Sequence, residues 1–129
     1  MSQVLGLGVF YTARDPAAVR DWYKAVLGLE MHDWGGVPLL PGPLAAQPGA
    51  AMVLSIFKAD SDYLAPSTKP FMLNLVVDDI EGMLARAAAA GVEPTWRSDD
   101  DAMGHFAHLI DPEGVKIELW QPKGEAPPE

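Results

Sequence analysis

The chain has no cysteine, which removes disulfides, thiolate metal ligands and a cysteine nucleophile at one stroke. Basic residues are scarce: 9 Lys and Arg stand against 18 Asp and Glu, leaving a net charge of −9. A field of that sign repels phosphate backbones and anionic membrane surfaces, so neither nucleic acid nor membrane is an expected partner. No apolar run approaches the length that spans a bilayer, and the opening "MSQVLGLGVFYTARD" has no basic segment of the signal-peptide kind. A cytoplasmic address is the expectation. G-x-S-x-G, P-loop and dinucleotide-fingerprint motifs are absent too, which leaves hydrolase and kinase readings without support.

What is present is the composition of one globular unit. The 129 residues are 49% hydrophobic and 21% charged, enough to build a single core. We expect one domain over 1–122 and a frayed tail, "PKGEAPPE", of which 123–129 lie outside it. The acidic run "SDDD" (98–101) reads as a solvated loop.

An internal repeat organises the chain. "RDPAAVRDWYKAVLGLE" and "DDIEGMLARAAAAGVE" each run from an Asp to a Gly 13 residues later, Asp15 to Gly28 and Asp78 to Gly91. Asp15 suits an N-cap, Pro16 the first helical position and Gly28 the left-handed residue after the last turn. Val19, Trp22, Tyr23, Val26 and Leu27 share one helical face, so Trp22 and Tyr23 read as core. In the second copy Asp78 and Glu81 have capping-box spacing. A strand-like run precedes each helix. In both, the odd positions (Leu5 to Ala13, Phe71 to Val77) are the greasier set and belong under the helices. The even positions then face the other side of the sheet.

Further strands follow each helix. "AMVLSIFK" (51–58) aligns with "GVKIELWQ" (114–121) at a shift of 63, setting Ser55 on Glu118 and Phe57 on Trp120. "EPTWRS" and "GHFAHLI" supply two more in the second half, whereas the Pro/Gly-rich 35–50 allows at most an edge strand over 37–40. The expected fold is α+β: two tandem βαβββ modules, 4–58 and 70–121, joined by the linker 59–69.

These stretches, above all "DPEGVKIELWQP", resemble the vicinal oxygen chelate superfamily of glyoxalase I, bleomycin-resistance proteins and extradiol dioxygenases, and within it the small glyoxalase-like proteins. The resemblance covers about residues 4–122. It implies modules whose curled mixed sheet encloses a cavity, commonly in a homodimer, and in some members a divalent cation held by the first and last strands. Glu118 matches the most recognisable ligand. The remaining positions fall at Gly8, Ser55 and Met72, which have no side chain, a poor neutral oxygen and a soft thioether. A divalent metal is therefore an option without a complete ligand set, and no cofactor is assigned with certainty.

A carboxylate among Ile117, Leu119 and Trp120 is costly unless a cation or donors satisfy it. If "DPEG" is a four-residue turn, cross-strand pairs sum to 225, Ala107 faces Glu118 and His105 shares the cavity face; a one-residue bulge exchanges His105 for His108. Glu118 and His105 are the candidate catalytic residues, with Phe10, Ser55, Phe57, Met72, Asn74, His108 and Trp120 as candidate ligand-binding residues. Asn74 either orients a ligand or Glu118, or makes a structural hydrogen bond. Two functions stay open. One is a glyoxalase-like lyase or isomerase acting on a small oxygenated molecule, with Glu118 as base or metal ligand. The other is a non-catalytic protein of the bleomycin-resistance type that sequesters a cationic aromatic small molecule.

Overall fold

The computed structural model describes residues 2–100 and 102–124. Helix α1 (Pro16–Leu27) forms as its ends dictate. The Asp15 carboxylate accepts from the Ala18 amide at 3.2 Å, Pro16 opens the helix, and Gly28 at φ 70° closes it with its N–H on Lys24 O. The second long helix, α3 (Ile80–Ala89), starts one residue later than the capping-box reading places it. Its N-cap is Asp79, which accepts from Gly82 N at 3.0 Å, and Glu81 instead pairs with Arg97. Asp15 and Asp79 are 64 apart while Gly28 and Gly91 are 63 apart, so the two copies differ by one residue within the helices. Between them lies a short helix the sequence reading missed, α2 (Pro41–Ala46), in the stretch where a loop with at most a short edge strand over 37–40 was expected; 37–40 forms no strand. Pro41 is preset for a first helical position and Leu44, Ala45 and Ala46 favour continuation.

Among the described residues four strands make one open mixed sheet: β1 (Met72–Val76), β2 (Trp96–Asp100), β3 (Gly104–Ile110) and β4 (Lys116–Pro122), in the order β1-β4-β3-β2, with 98–100 of the acidic run in β2 and not in the expected loop. β1 runs parallel to β4, and the other two pairings are antiparallel. One face of the sheet carries Leu73, Ala107, Leu109, Ile117 and Leu119, packed in one core with Val19, Tyr23, Val26 and Leu27 of α1 and Ile80 and Ala87 of α3. Ile117, Leu119 and Leu109 are fully buried, each stabilising the fold by about 1.5–3 kcal/mol. The odd positions of β1 thus lie under the helices as their pattern demands.

The first module contributes α1 to this layer, but its strand-like runs join no ladder in the single chain: 2–13 and 51–58 form no strand. Most of their side chains are open to solvent, Leu5 at 84%, Phe10 at 91%, Leu54 at 80% and Ile56 at 84% exposure, whereas Tyr11 and Ala13 at the end of the first run pack against the core. The two runs touch where the Met52 sulfur approaches the Cβ direction of Gly6. The exposed residues are strand formers with no second surface in this chain to bury them.

A buried carboxylate ties the modules together. Asp111 Oδ2 accepts from the Tyr11 and Tyr23 hydroxyls, both at 2.8 Å, and Oδ1 accepts from the amides of Glu113 and Val115, both at 2.9 Å. Burial, reinforced by the Asp111 charge, pushes Tyr11 up to about 12 and Tyr23 further, so both phenols remain donors.

Candidate functional site

The turn after Asp111 sets the geometry of the site. Gly114 N donates to Asp111 O, Asp111 N donates to Val115 O, and Gly114 takes φ 88°. This is a three-residue loop, Pro112 to Gly114, with the glycine as a bulge, rather than a four-residue turn. Cross-strand pairs therefore sum to 226, and His108 faces Glu118. The bulged alternative holds, and the register that would bring His105 to Glu118 does not. His105 pairs with Gln121, on the opposite parity, and its Nδ1 lies 2.6 Å from Asp99 Oδ1 near the surface. That hydrogen bond holds the exposed Asp99 carboxyl below its usual range.

With this register four side chains form one row across all four strands: Asn74 on β1, Glu118 on β4, His108 on β3 and Trp96 on β2. The row lies on the face turned away from the helices, as the even-position pattern requires. Asn74 Nδ2 donates to Glu118 Oε1 at 3.0 Å, and His108 Nε2 lies 2.8 Å from Oε2. A carboxylate only accepts, so that nitrogen carries the proton. The Tyr63 hydroxyl, from the linker, donates to the same Oε2 from above. Glu118 and His108 are 7% and 3% exposed. The cost of burying the carboxylate is offset by three donors and by Lys116, two residues away on the same face.

Aromatic rings wall the row. Trp96 lies over His108 with centroids 4.4 Å apart, and Tyr63 meets His108 and Phe57 edge-on at 5.6 and 5.4 Å. One step along the strands Trp120 stacks parallel to Phe106, its indole N–H donating to Met103 O at 2.8 Å. Lys116 holds the linker down: its ammonium donates to Tyr63 O and to Ala65 O and sits 5.0 Å from the Tyr63 ring centroid. Burial lowers the Lys116 pKa against the attraction of Glu118 and Asp62.

The structure thus gathers Glu118, Asn74, His108 and Trp120 on one face, with Met72 beside Lys116 and Phe57 at the margin against Tyr63. Phe10 and Ser55 lie in the unpaired runs, exposed. Tyr63, Trp96 and Lys116 escaped the sequence reading. Lys116 was accessible from its i, i+2 relation to Glu118; Trp96 required the β2–β3 register and Tyr63 the path of the linker.

These donors do not fit a divalent cation. Both Glu118 oxygens already accept from protein donors, Gly8 offers nothing, Ser55 is exposed, and among the described residues no three of His, Asp and Glu gather. The chemistry available rests on a buried Glu–His pair, a phenol and an amide.

His108 makes that pair pH-sensitive. Burial pushes its pKa below 6.5, and the Lys116 charge pushes the same way, against the Glu118 hydrogen bond. The folded protein keeps the ring neutral where the unfolded chain begins to protonate it, so this contribution is intact above 6.5 and is lost as pH falls from 6.5 toward the folded value. Urea titrations between pH 7.5 and 5 are expected to show stability falling, by up to about 1.4 kcal/mol per pH unit from this one group. His108→Gln should flatten that slope; an unchanged slope would contradict the assignment.

No curated protein sequence matches this chain. Solved structures of similar fold include a glyoxalase / bleomycin resistance protein from Catenulispora acidiphila DSM 44928, 20% identical, with TM-score 0.53, over 93% of this chain and 100% of that one. A second is TnmS3, an antibiotic binding protein from Streptomyces sp. CB03234, 20% identical, with TM-score 0.54, over 95% and 98% of the two chains. Both support the glyoxalase/bleomycin-resistance fold. The glyoxalase-like domain family model matches residues 8–120, nearly the whole chain. This protein belongs to the glyoxalase-like family, within the vicinal oxygen chelate superfamily.

Proposed function

We propose that the protein binds a small aromatic molecule at the Asn74–Glu118–His108–Trp96 row without converting it. The observation that carries this reading is the state of Glu118: a carboxylate saturated by three neutral protein donors and ringed by aromatic side chains. Such a group is a fixed acceptor more than a free base, and a few placed polar atoms among aromatic walls are the usual make-up of a small-molecule site. The net charge of −9 favours a ligand carrying positive charge. The antibiotic-binding relative has the same fold at 20% identity, which makes the reading consistent with the fold. A homodimer belongs to the proposal, because the exposed apolar runs 4–10 and 52–57 need a covering surface that a second copy would supply. So does a cytoplasmic address; among the described residues no helix is long and apolar enough to cross a membrane.

Tryptophan quenching tests it. Trp96 and Trp120 lie at the site, so 9-aminoacridine should quench saturably and less strongly as salt is added, while Trp96→Phe should remove much of the signal. No saturable quenching by any of a broad set of aromatic compounds would remove the proposal. A metal-independent lyase or isomerase is the second reading, favoured by the 2.8 Å contact of His108 with Glu118, which could act as an acid–base pair. Turnover of a small oxygenated substrate, abolished by Glu118→Gln, would establish it instead.

A further inference from the structure

The Tyr63 phenol is a ligand-like group lying on its own site. Its hydroxyl donates to Glu118 Oε2 beside the His108 donor, and its ring stands edge-on between Phe57 and His108. Nothing on the sheet itself requires a donor there, since Asn74 and His108 reach the carboxylate from neighbouring strands. Tyr63 comes from outside the sheet, on a linker built of single turns: Ser61 N to Lys58 O, Ala65 N to Asp62 O and Ser67 N to Leu64 O. That linker reaches the sheet side through a few polar contacts to the β4 region: Tyr63 to Glu118, Lys116 to two linker carbonyls, and Ser67 to Gly114 O. Lifting Tyr63 breaks no ladder bond. Tyr63 as a residue is 38% exposed, so it has a way out.

The geometry points to a hydroxylated aromatic compound as the ligand, with Tyr63 as an internal stand-in that the ligand's hydroxyl displaces from Glu118. This deepens the small-molecule-binding reading and rests on it. A neutral hydroxyl matches the position because Lys116 already lies beside the Tyr63 ring and supplies the positive charge that faces Glu118, so a second cation at that spot would meet repulsion. The charge-assisted hydrogen bond to a buried carboxylate rewards a donor and penalises its methyl ether, which leaves the acceptor unmatched. Whatever positive charge the overall field selects sits elsewhere on the ligand.

The test compares 2-naphthol with 2-methoxynaphthalene, followed by shifts of the Trp96 and Trp120 indole N–H resonances. Wild-type protein is expected to bind the naphthol about tenfold more tightly than the ether. Tyr63→Phe, which keeps the ring and vacates the acceptor, should tighten naphthol binding by about tenfold and change ether binding less than about twofold. In wild type the Tyr63 Cζ resonance should move with naphthol and stay with the ether, a readout that does not depend on how well the variant folds. Equal binding of the two compounds, with Tyr63→Phe affecting neither and a stationary Cζ signal, overturns the hydroxyl assignment while leaving aromatic binding intact. Absence of binding by both compounds, and by the wider aromatic set, overturns the binding reading and this inference with it.

Discussion

Asp111→Ala is expected to lower the unfolding free energy by about 3–5 kcal/mol, measured by urea denaturation. Four donors converge on this one buried side chain, two phenols at 2.8 Å and two amides at 2.9 Å. Each hydrogen bond to a charged acceptor contributes about 1.5–3 kcal/mol, and the contributions do not simply add. Truncation removes all four and leaves the 4%-exposed Tyr23 with only the longer 3.4 Å contact to Tyr11. It also loosens the loop whose bulge sets the β3–β4 register, and with it the position of His108. Asp111→Asn keeps an oxygen for the amides and lets a phenol rotate to accept, so a smaller loss of about 1–2 kcal/mol is expected. A loss below about 1 kcal/mol for the alanine variant would show that the tyrosines find other partners.

Glu118→Ala is expected to cost about 2–4 kcal/mol, less than a sealed buried ion pair would because Tyr63 leaves a path for water. The change strands the Asn74 amide, the His108 N–H and the Tyr63 hydroxyl at once, and removes the negative charge that faces Lys116. Tyr63 should then lose its hold on the sheet, visible as faster amide exchange across 61–67. Glu118→Gln retains one acceptor oxygen, and its stability should fall between the alanine variant and wild type. Stability unchanged in both would mean that the carboxylate is not held as described.

The burial of Glu118 was legible in the sequence because strand periodicity is simple. Its neighbours Ile117 and Leu119 must point into the core if α1 and α3 cover the sheet, which turns Glu118, Asn74 and Trp120 to the other face. The identity of its partner was not settled by periodicity. A single residue in the 111–115 loop decides between His105 and His108, and the deciding feature is the left-handed Gly114, which favours the bulged three-residue loop. Asp79 in place of Asp78 as helix cap is the same kind of one-residue ambiguity, since adjacent aspartates both have a plausible capping distance. Tyr63 was out of reach for another reason. It lies 55 residues from Glu118 on a linker with no periodic pattern, and only the folded path of that linker brings phenol to carboxylate.

The first module shows where pattern and structure part. Leu5 to Ala13 and Ala51 to Lys58 alternate like strands, yet a strand needs both a neighbour for its backbone and a surface for its side chains. The single chain supplies no neighbouring strand and, at the end of the first run, a surface only for Tyr11 and Ala13, so Phe10 and Ser55, which alignment with the second module places at the site, stay in solvent. A second copy of the chain is the proposed source of both.

The affinity of the tightest-binding aromatic compound for wild type and for Glu118→Gln, measured where circular dichroism shows both folded, tests the central claim most directly. If Glu118 anchors the ligand, the dissociation constant should rise at least about tenfold in the variant, since a charge-assisted hydrogen bond is lost. An unchanged dissociation constant would place the ligand elsewhere and leave the Glu118 row a structural feature of the sheet.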